Sequence, residues 1–434
     1  MHGVVLLCVV GSWWTQYGDP ELNRIVEKAL KQNVDLQSSA QRIAEARALT
    51  GDAKSKLGPT VSGTGSAQRL RGGFAQGIVR IPNPSGAQQS GSFVSPFETG
   101  LFQGGLDMKW ELDFFGSNRA GLAAARADVA AAEQTREDLA ITVSAEAARY
   151  YISLRGIEDR IAILKRNIAT QQELLELTED RVKAGIASQL DIERQRTLLA
   201  NTEATMPGLE SDRSLHRNRL AVLVGEETFT VSDGGTLTTP ALNPNLPSEL
   251  LKRRPDVRAA EARLAAAMQR LKQARTDLYP KVTLNGLVGR QGTSLGSFSL
   301  GGGNFFNIGP QLQLPIFNSG RIKSNIALND ARVEQEKLAY RNEILTAFEE
   351  AANAIAAMER QKEREAKLAA ASASAQTSLE LSSDLQRAGV NDFLSVLDAQ
   401  RGLLDADYQR AAARTQVLIE SVALYKALAG GWPN

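Results

Sequence analysis

Proline sets the frame for this chain. Its fourteen prolines cluster, and none lies between Pro96 and Pro207 or between Pro315 and Pro433. A proline in a helix interior costs about 3 kcal/mol, because it lacks an N–H and clashes with the preceding turn. The two gaps are therefore where long helices can run. Arg321 to Ala388 holds no glycine, and Leu122 to Ala184 holds only Gly156. Both stretches are rich in Ala, Glu, Lys, Arg, Leu and Gln, the strong helix formers. A helix of about 65 residues would be roughly 100 Å long at about 1.5 Å per residue, a length that points to a coiled coil. The apolar spacing agrees. Ile157, Ile161, Leu164, Ile168, Leu175 and Val182 fall on steps of three and four or their multiples, Leu338, Leu345 and Ala352 form one heptad row, and Phe348 and Ile355 belong to the next. A 3.5-residue period is the supercoil signature.

Each long segment ends on the same device. Arg181-Val182-Lys183-Ala184-Gly185-Ile186 closes the first, and Leu385-Gln386-Arg387-Ala388-Gly389-Val390 the second. Basic residues followed by glycine predict a helix C-terminus. Ser188 and Asp392 then predict the N-caps of returning helices, through Ile192 to Met206 and through Leu394 to Leu428.

The chain is duplicated. At an offset of 221, Leu30/Leu251, Asp35/Asp256, Arg42/Arg263, Ala53/Ala274, Pro59/Pro280, Gly65/Gly286 and Arg69/Arg290 coincide without a gap. At 202, Leu112/Leu314, Phe115/Phe317 and Arg119/Arg321 match, and at 204 Leu177/Leu381, Asp180/Asp384, Gly185/Gly389 and Leu190/Leu394 match. The drop from 221 to 202 assigns the first half a longer insertion, from about Leu70 to Thr99, whose Gly, Pro, Ser and Gln content reads as a loop. The expected organisation is an N-terminal segment 1–18, a first repeat 19–230, a linker 231–247 and a second repeat 248–434. Each repeat holds a helix ended by proline, a β-hairpin (about 60–113 and 281–316) and a long helical hairpin (about 117–225 and 320–430).

The strands are the decisive segments. Leu106, Met108, Trp110 and Leu112 alternate with Asp107, Lys109, Glu111 and Asp113; Phe306, Ile308, Leu312 and Leu314 alternate with Asn307, Gln311 and Gln313; Val282, Leu284 and Val288 alternate with Thr283 and Asn285. Such alternation fits a half-exposed sheet of a soluble domain and equally a barrel with lipid outside and water inside. In the second reading, Met108, Trp110, Phe306 and Ile308 face lipid, and Asp107, Lys109, Glu111, Gln311 and Gln313 face the lumen. Four strands cannot close a barrel, which takes about eight even when filled, and open edges are not tolerated in lipid. Membrane-spanning strands would have to be shared among copies, and three chains would supply a barrel of about twelve strands. In that reading the fold class is mainly α with a membrane β-barrel, four strands per chain, and the long helical hairpins form a ring below it.

Composition removes other classes. Lys plus Arg is 50 against 49 for Asp plus Glu, so nucleic acid is not the main partner. One cysteine excludes an internal disulfide, and two histidines leave little for a metal site. No stretch of 18 apolar residues exists; the longest apolar run is Val4 to Val10, without a basic region before it. Cys8 is a candidate lipidation site, although Leu7 precedes it where a lipoprotein signal places a small residue. The alternative is a plain start to the chain. No catalytic residues stand out. Gly301-Gly302-Gly303-Asn304 lacks the lysine of a phosphate loop, Ser66 lacks the flanks of a nucleophile elbow, and His216 lacks an acid partner. No catalytic, metal or cofactor site is expected.

The run Leu250-Leu251-Lys252-Arg253-Arg254-Pro255-Asp256-Val257-Arg258-Ala259-Ala260-Glu261, continuing to Tyr279-Pro280, resembles the signature of TolC-like outer-membrane efflux factors, and most nearly their NodT-like (OprM-like) lipoprotein branch. Trp110-Glu111-Leu112-Asp113-Phe114-Phe115-Gly116 and Leu314-Pro315-Ile316-Phe317-Asn318-Ser319-Gly320-Arg321 are similar to that family's strand-to-helix junctions, and Gly18-Asp19-Pro20-Glu21-Leu22 to its opening segment. The resemblance runs from about Trp13 to near the end. It departs at the start, where members carry a signal peptide and a longer leader and here twelve residues precede Trp13.

The resemblance implies a homotrimeric channel: a barrel in the outer-membrane lipid bilayer and a helical tunnel in the periplasm. It implies work with a periplasmic adaptor (membrane fusion) protein and an inner-membrane pump of the RND type, which supplies the energy. It places the periplasmic constriction at Leu394 and Asp398, one helical turn apart, where threefold symmetry would stack a leucine ring and a carboxylate ring that repels, favours cations and responds to pH. The other reading makes Leu394 seam packing and Asp398 a solvated charge. The adaptor would dock at the tips, Gly185-Ile186 and Gly389-Val390, which also read as plain helix C-caps. A soluble coiled-coil scaffold is the competing function; it accounts for the helices and leaves the alternating strands unexplained.

Overall fold

The computed structural model describes residues 12–72, 77–82, 88–93, 97–232, 234–240, 253–294, 303–390 and 393–429. Cys8, Asp392, Gly301, Gly302, Leu250-Leu251-Lys252 and the linker residues 241–247 lie outside them.

The helices are α1 (Pro20–Gln32), α2 (Val34–Ser55), α3 (Ser117–Lys183), α4 (Gln189–Glu203), α5 (Met206–Val224), α6 (Pro255–Thr276), α7 (Arg321–Arg387) and α8 (Phe393–Ala427). The strands are β1 (Thr60–Gly72), β2 (Gly77–Pro82), β3 (Gln88–Phe93), β4 (Phe97–Leu112), β5 (Lys281–Gly292) and β6 (Gly303–Gln313). The duplication is visible in the element lengths. Helices α2 and α6 are each 22 residues long, and α3 and α7 each 67.

Three expectations are corrected. The stretch from Leu70 to Thr99 is not a plain loop: β1 runs to Gly72, β4 begins at Phe97, and β2 pairs antiparallel with β3 between them. Ile78, Val79 and Ile81 favour extended backbone, and the Gly, Pro, Ser and Gln around them concealed that. The first helix is two, because the Asn33 side chain accepts from the Leu36 N–H at 3.1 Å, opening α2, and donates to the Leu223 carbonyl at 3.1 Å. The returning arm of the first hairpin, expected to reach about 225, is two helices, α4 ending at Glu203 and α5 opening at Met206 with Pro207 in its first turn, where no N–H is needed.

The chain forms two compact units, one of residues 1–44, 130–263 and 337–434, the other of 45–129 and 264–336. The first is helical. Its main core joins Leu22, Ile25 and Val26 of α1, Ala147, Tyr151, Ile152 and Leu154 of α3, Leu220 and Val224 of α5 and Leu418, Val422 and Tyr425 of α8. Each fully buried Leu or Ile contributes about 1.5–3 kcal/mol. Trp13, Trp14 and Tyr17, within the segment set apart by sequence, are buried here: Trp13 stacks on Tyr425 with centroids 5.0 Å apart, and the Tyr17 hydroxyl meets Ser421 Oγ at 2.5 Å. Three aromatic rings have too much apolar area to leave in water. Asp19 caps α1, accepting from the Glu21 and Leu22 N–H groups at 2.8 and 3.2 Å.

The second unit holds a four-stranded antiparallel sheet in the order β1-β4-β5-β6. Pro59 and Pro280 stand directly before β1 and β5. A smaller helical core joins Ala267 and Leu271 of α6 to Val333 of α7.

Candidate channel surfaces

The register of the sheet sorts its side chains into two chemically opposite faces. Met108, Gly286 and Ile308 stand side by side across three strands, as do Leu106, Val288 and Phe306, then Trp110, Leu284 and Pro310, then Leu112, Val282 and Leu312. On the other face Lys109 neighbours Asn285, and Glu111, Thr283 and Gln311 form one row. Asp107 shares its row with Leu287 and Asn307, and Phe305 stands beside Gly289 two positions along, so apolar residues interrupt the polar face; Gln313 pairs with Lys281. Asn285 donates to Gln311 Oε1 at 2.9 Å. Gly105 and Gly289 are paired across β4 and β5, and a Cβ at Gly105 would stand 2.5 Å from the Val288 carbonyl oxygen, so that close approach requires glycine.

The apolar face is uncovered within the chain. Phe306 is 82% exposed, Ile308 65% and Leu312 66%. Met108 is half-buried because its methyl lies over Gly286. Trp110 is half-buried near the end of β4, and its indole N–H donates to the Leu57 carbonyl at 2.9 Å. That position suits an aromatic belt at the edge of an apolar band rather than its middle.

The junction motifs build tight strand-to-helix turns. Asp113 Oδ2 accepts from the Arg119 N–H at 2.9 Å, and Arg119 Nη2 donates to the Asp113 carbonyl at 2.9 Å. Phe115 stacks on Tyr279 at 4.8 Å. In the second junction Ile316 and Phe317 remain 91% and 87% exposed.

The two hairpin tips are near-copies. The Gly185 N–H donates to the Val182 carbonyl at 3.0 Å and the Ile186 N–H to that of Arg181 at 2.9 Å; Gly389 donates to Gln386 at 3.0 Å and Val390 to Leu385 at 2.9 Å. Gly185 and Gly389 sit at φ 74° and 77°. This is the two-bond helix terminator, with a left-handed residue that favours glycine. The apolar residue after the glycine commonly folds back on the helix, yet here Ile186 is 73% and Val390 70% exposed. Ser188 opens α4, its N–H and Oγ both donating to Asp191 Oδ2, at 3.1 and 2.9 Å.

Leu394 and Asp398 are exposed on the first turns of α8 and line a groove of about 710 Å³ facing α4. Leu190, Glu193 and Arg194 line the α4 side, with Arg401 further along α8. The 204-residue offset pairs Leu190 with Leu394 and Arg194 with Asp398. The Asp398 carboxylate thus has a guanidinium, Arg194, at the matching position of the first repeat, and the groove holds two acids and two bases. The expectation of a leucine ring and a carboxylate ring did not include Arg194, which the offset alone does not place in the groove.

Two further arrangements escaped the sequence reading. Arg254 of the Arg-Arg-Pro-Asp run is buried. Its Nη2 reaches Asp256 Oδ2 and Glu350 Oε2 at 2.6 Å each, and its Nη1 donates to the Ala427 carbonyl at 2.9 Å, tying α6, α7 and α8 together. Its basicity is raised: burial opposes the charge, and the two carboxylates outweigh it. The other arrangement is a change of chemistry along the coiled-coil seam. The heptad row Ile157, Leu164 continues toward the tip as Gln171, Thr178, and the row Leu209 of α5 continues as Thr202, Gln195; all are buried. Gln195 Nε2 donates to the Gln171 carbonyl at 3.0 Å.

His216 meets the Asp212 carbonyl at 2.8 Å and packs edge-on to Tyr150, a structural setting. Among the described residues no group of His, Cys, Asp and Glu is arranged to hold a metal ion, and no helix is long and apolar enough to cross a membrane.

The outer membrane efflux protein family matches residues 25–226 and 246–430. The chain is 32% identical over 436 residues to the pyoverdine export outer membrane protein OpmQ of Pseudomonas aeruginosa, covering 98% of this chain and 88% of that one. Nodulation protein T of Rhizobium leguminosarum bv. viciae is 28% identical over 437 residues, covering 98% of this chain and 85% of the other. Among solved structures, the outer-membrane channel OprN superposes with a TM-score of 0.88 at 33% identity, covering 97% of this chain and 92% of that one. With both repeats matched, the chain belongs to the outer membrane efflux protein family: it is the outer-membrane channel of a tripartite efflux system, built as a TolC-like trimer with a β-barrel and a periplasmic helical tunnel, and acting with an adaptor and an inner-membrane pump.

Proposed function

We propose a role for each surface of this channel. Met108, Trp110, Phe306 and Ile308 meet lipid, while Asp107, Lys109, Glu111, Gln311 and Gln313 line the water-filled bore. Strands β1 and β6, the two edges of the sheet, pair with the β6 and β1 edges of neighbouring copies, which removes every open edge. Leu394 and Asp398, with Arg194 beside them, narrow the periplasmic entrance. Gly185-Ile186 and Gly389-Val390 dock the adaptor through exposed apolar residues on two near-identical tips. The pump is of the RND type, and the cargo is drugs or other small molecules conducted passively. The OpmQ relative is named for pyoverdine export.

The observation that carries this reading is the uncovered apolar face of the sheet, with Phe306 at 82% exposure. Such a face in water would be an aggregation site; in a bilayer it is the stable arrangement. Single-channel recording in planar bilayers tests the entrance. Leu394→Ala with Asp398→Ala should raise conductance and leave the trimer intact, and unchanged conductance would remove the constriction from these two residues.

A further inference from the structure

Apart from the groove at Leu394 and Asp398, a cavity of about 290 Å³ opens in the helical unit where three parts of the chain meet. Its walls are α3 around Gly156, α8 around Thr415 and the segment 234–237 between the repeats. The volume stands at the small end of ligand pockets, which run from about 300 to 1,000 Å³. The walls are fixed by packing that needs no ligand. The segment is pinned on both sides: the Ser232 N–H donates to Glu21 Oε1 at 2.9 Å, and the Thr238 N–H to the Tyr17 carbonyl at 3.0 Å. Gly234 lies against the Tyr151 hydroxyl and Asp19, which are bonded to each other at 2.7 Å, and a Cβ there would collide with both. A Cβ at Gly156 would collide with Thr415 in the same way.

The charges in this cavity are divided in an informative way. Arg155 is engaged: its Nη1 donates to Glu158 Oε2 at 3.1 Å, and its Nη2 reaches the Gly234 carbonyl at 3.5 Å. Asp159 and Arg414 also line the cavity, and among the described residues neither has a hydrogen bond or an ion pair. A carboxylate on α3 and a guanidinium on α8 thus face one small space without touching. A ligand with one charge would satisfy one of them and leave the other. A molecule with a carboxylate and an ammonium on the same carbon satisfies both. Its carboxylate accepts the paired N–H groups of a guanidinium, and its ammonium donates to the Asp159 carboxylate. The apolar lining is confined to Ile152, Leu237 and Leu418, which leaves room for a small side chain only.

We propose that this cavity is a binding site for a free α-amino acid with a small side chain, its carboxylate on Arg414 and its ammonium on Asp159. The ligand bridges α3 of the first repeat and α8 of the second, beside the segment that joins the repeats, so that occupancy strengthens the contact between the two halves of the chain. The site is independent of the roles given above to the entrance, the tips and the sheet.

Isothermal titration of alanine into the detergent-purified trimer tests the proposal. One saturable site per chain is expected, and alanine should raise the thermal midpoint of the trimer. N-acetylalanine, which lacks the ammonium, and alaninamide, which lacks the carboxylate, should each bind about tenfold or more weakly. Asp159→Asn and Arg414→Gln should each weaken alanine by a similar factor; both side chains are exposed, so these variants should assemble. Exchanging the pair, Asp159→Arg with Arg414→Asp, should restore binding, because the amino acid then enters the other way round, and a purely structural role for the two residues would give no such recovery. No saturable binding of alanine in the millimolar range would overturn the proposal. N-acetylalanine binding as tightly as alanine would also overturn it, by making the cavity a site for anions alone, and so would single variants that bind alanine as the parent does.

Discussion

The helical unit and the sheet-bearing unit treat the same residue types in opposite ways. In the first, Leu22, Ile25, Ile152 and Leu154 are fully buried. In the second, Phe306, Ile308, Leu312 and Val288 are more exposed than covered. Apolar surface leaves water in both, but in the first it is covered by its own chain and in the second the covering has to come from outside. One chain thus carries the imprint of two solvents, and burial within a single copy measures stability only in the helical part.

The same kind of substitution should therefore fail for different reasons in the two regions. The largest effect is expected for Leu154→Arg. A charge without a partner in a packed core costs several kcal/mol, and no folded protein should be recovered in any fraction. Ile308→Arg comes next. Arginine on a barrel's lipid face costs about 2–4 kcal/mol per chain near the midplane, so heat-resistant trimer should disappear from the membrane fraction, while Gln311→Arg on the opposite face assembles normally. Equal tolerance of Ile308→Arg and Gln311→Arg would contradict the two-faced sheet. Trp110→Phe should be milder. It removes one indole hydrogen bond, about 0.5–1.5 kcal/mol, and should lower the thermal midpoint of the trimer without abolishing assembly.

The smallest effect sharpens the picture of the helical core. The Asp138 carboxyl on α3 has its pKa raised, first by burial and then by Asp256 and Glu343, with Lys426 and Arg254 opposing. A raised carboxylate favours the folded state most below its ordinary pKa, and that contribution is lost as pH rises through the raised value. Asp138→Asn should therefore raise the melting temperature slightly at neutral pH and less so at pH 4, as read by thermal unfolding between pH 4 and 8. A gain as large at pH 4 as at pH 8 would contradict the assignment.

Much of this was legible in the residues, for a physical reason. Long helices announce themselves because both 67-residue runs lack proline and hold almost no glycine, and the hairpin ends because a left-handed residue favours Gly185 and Gly389. The faces of β4, β5 and β6 follow from a period of two. What escaped was chemistry that depends on a partner distant in sequence. Gln171 and Gln195 look like surface glutamines until the seam buries them, and Arg254 looks like one of three basic residues until Asp256, Glu350 and the Ala427 carbonyl close around it. The β2–β3 ribbon was hidden in a stretch whose glycines and prolines suggested loop.

By itself, then, the order of amino acids determined the duplication, the helix and strand types and which side chains share a face, because these depend on neighbours within a turn or a strand. Only the tertiary structure decided that Trp13 and Tyr17 belong to the core, that Arg194 stands in the groove with Asp398, and that the apolar side of the sheet goes uncovered. Each of these is set by which distant segments reach one another, and a local pattern of side chains does not carry that.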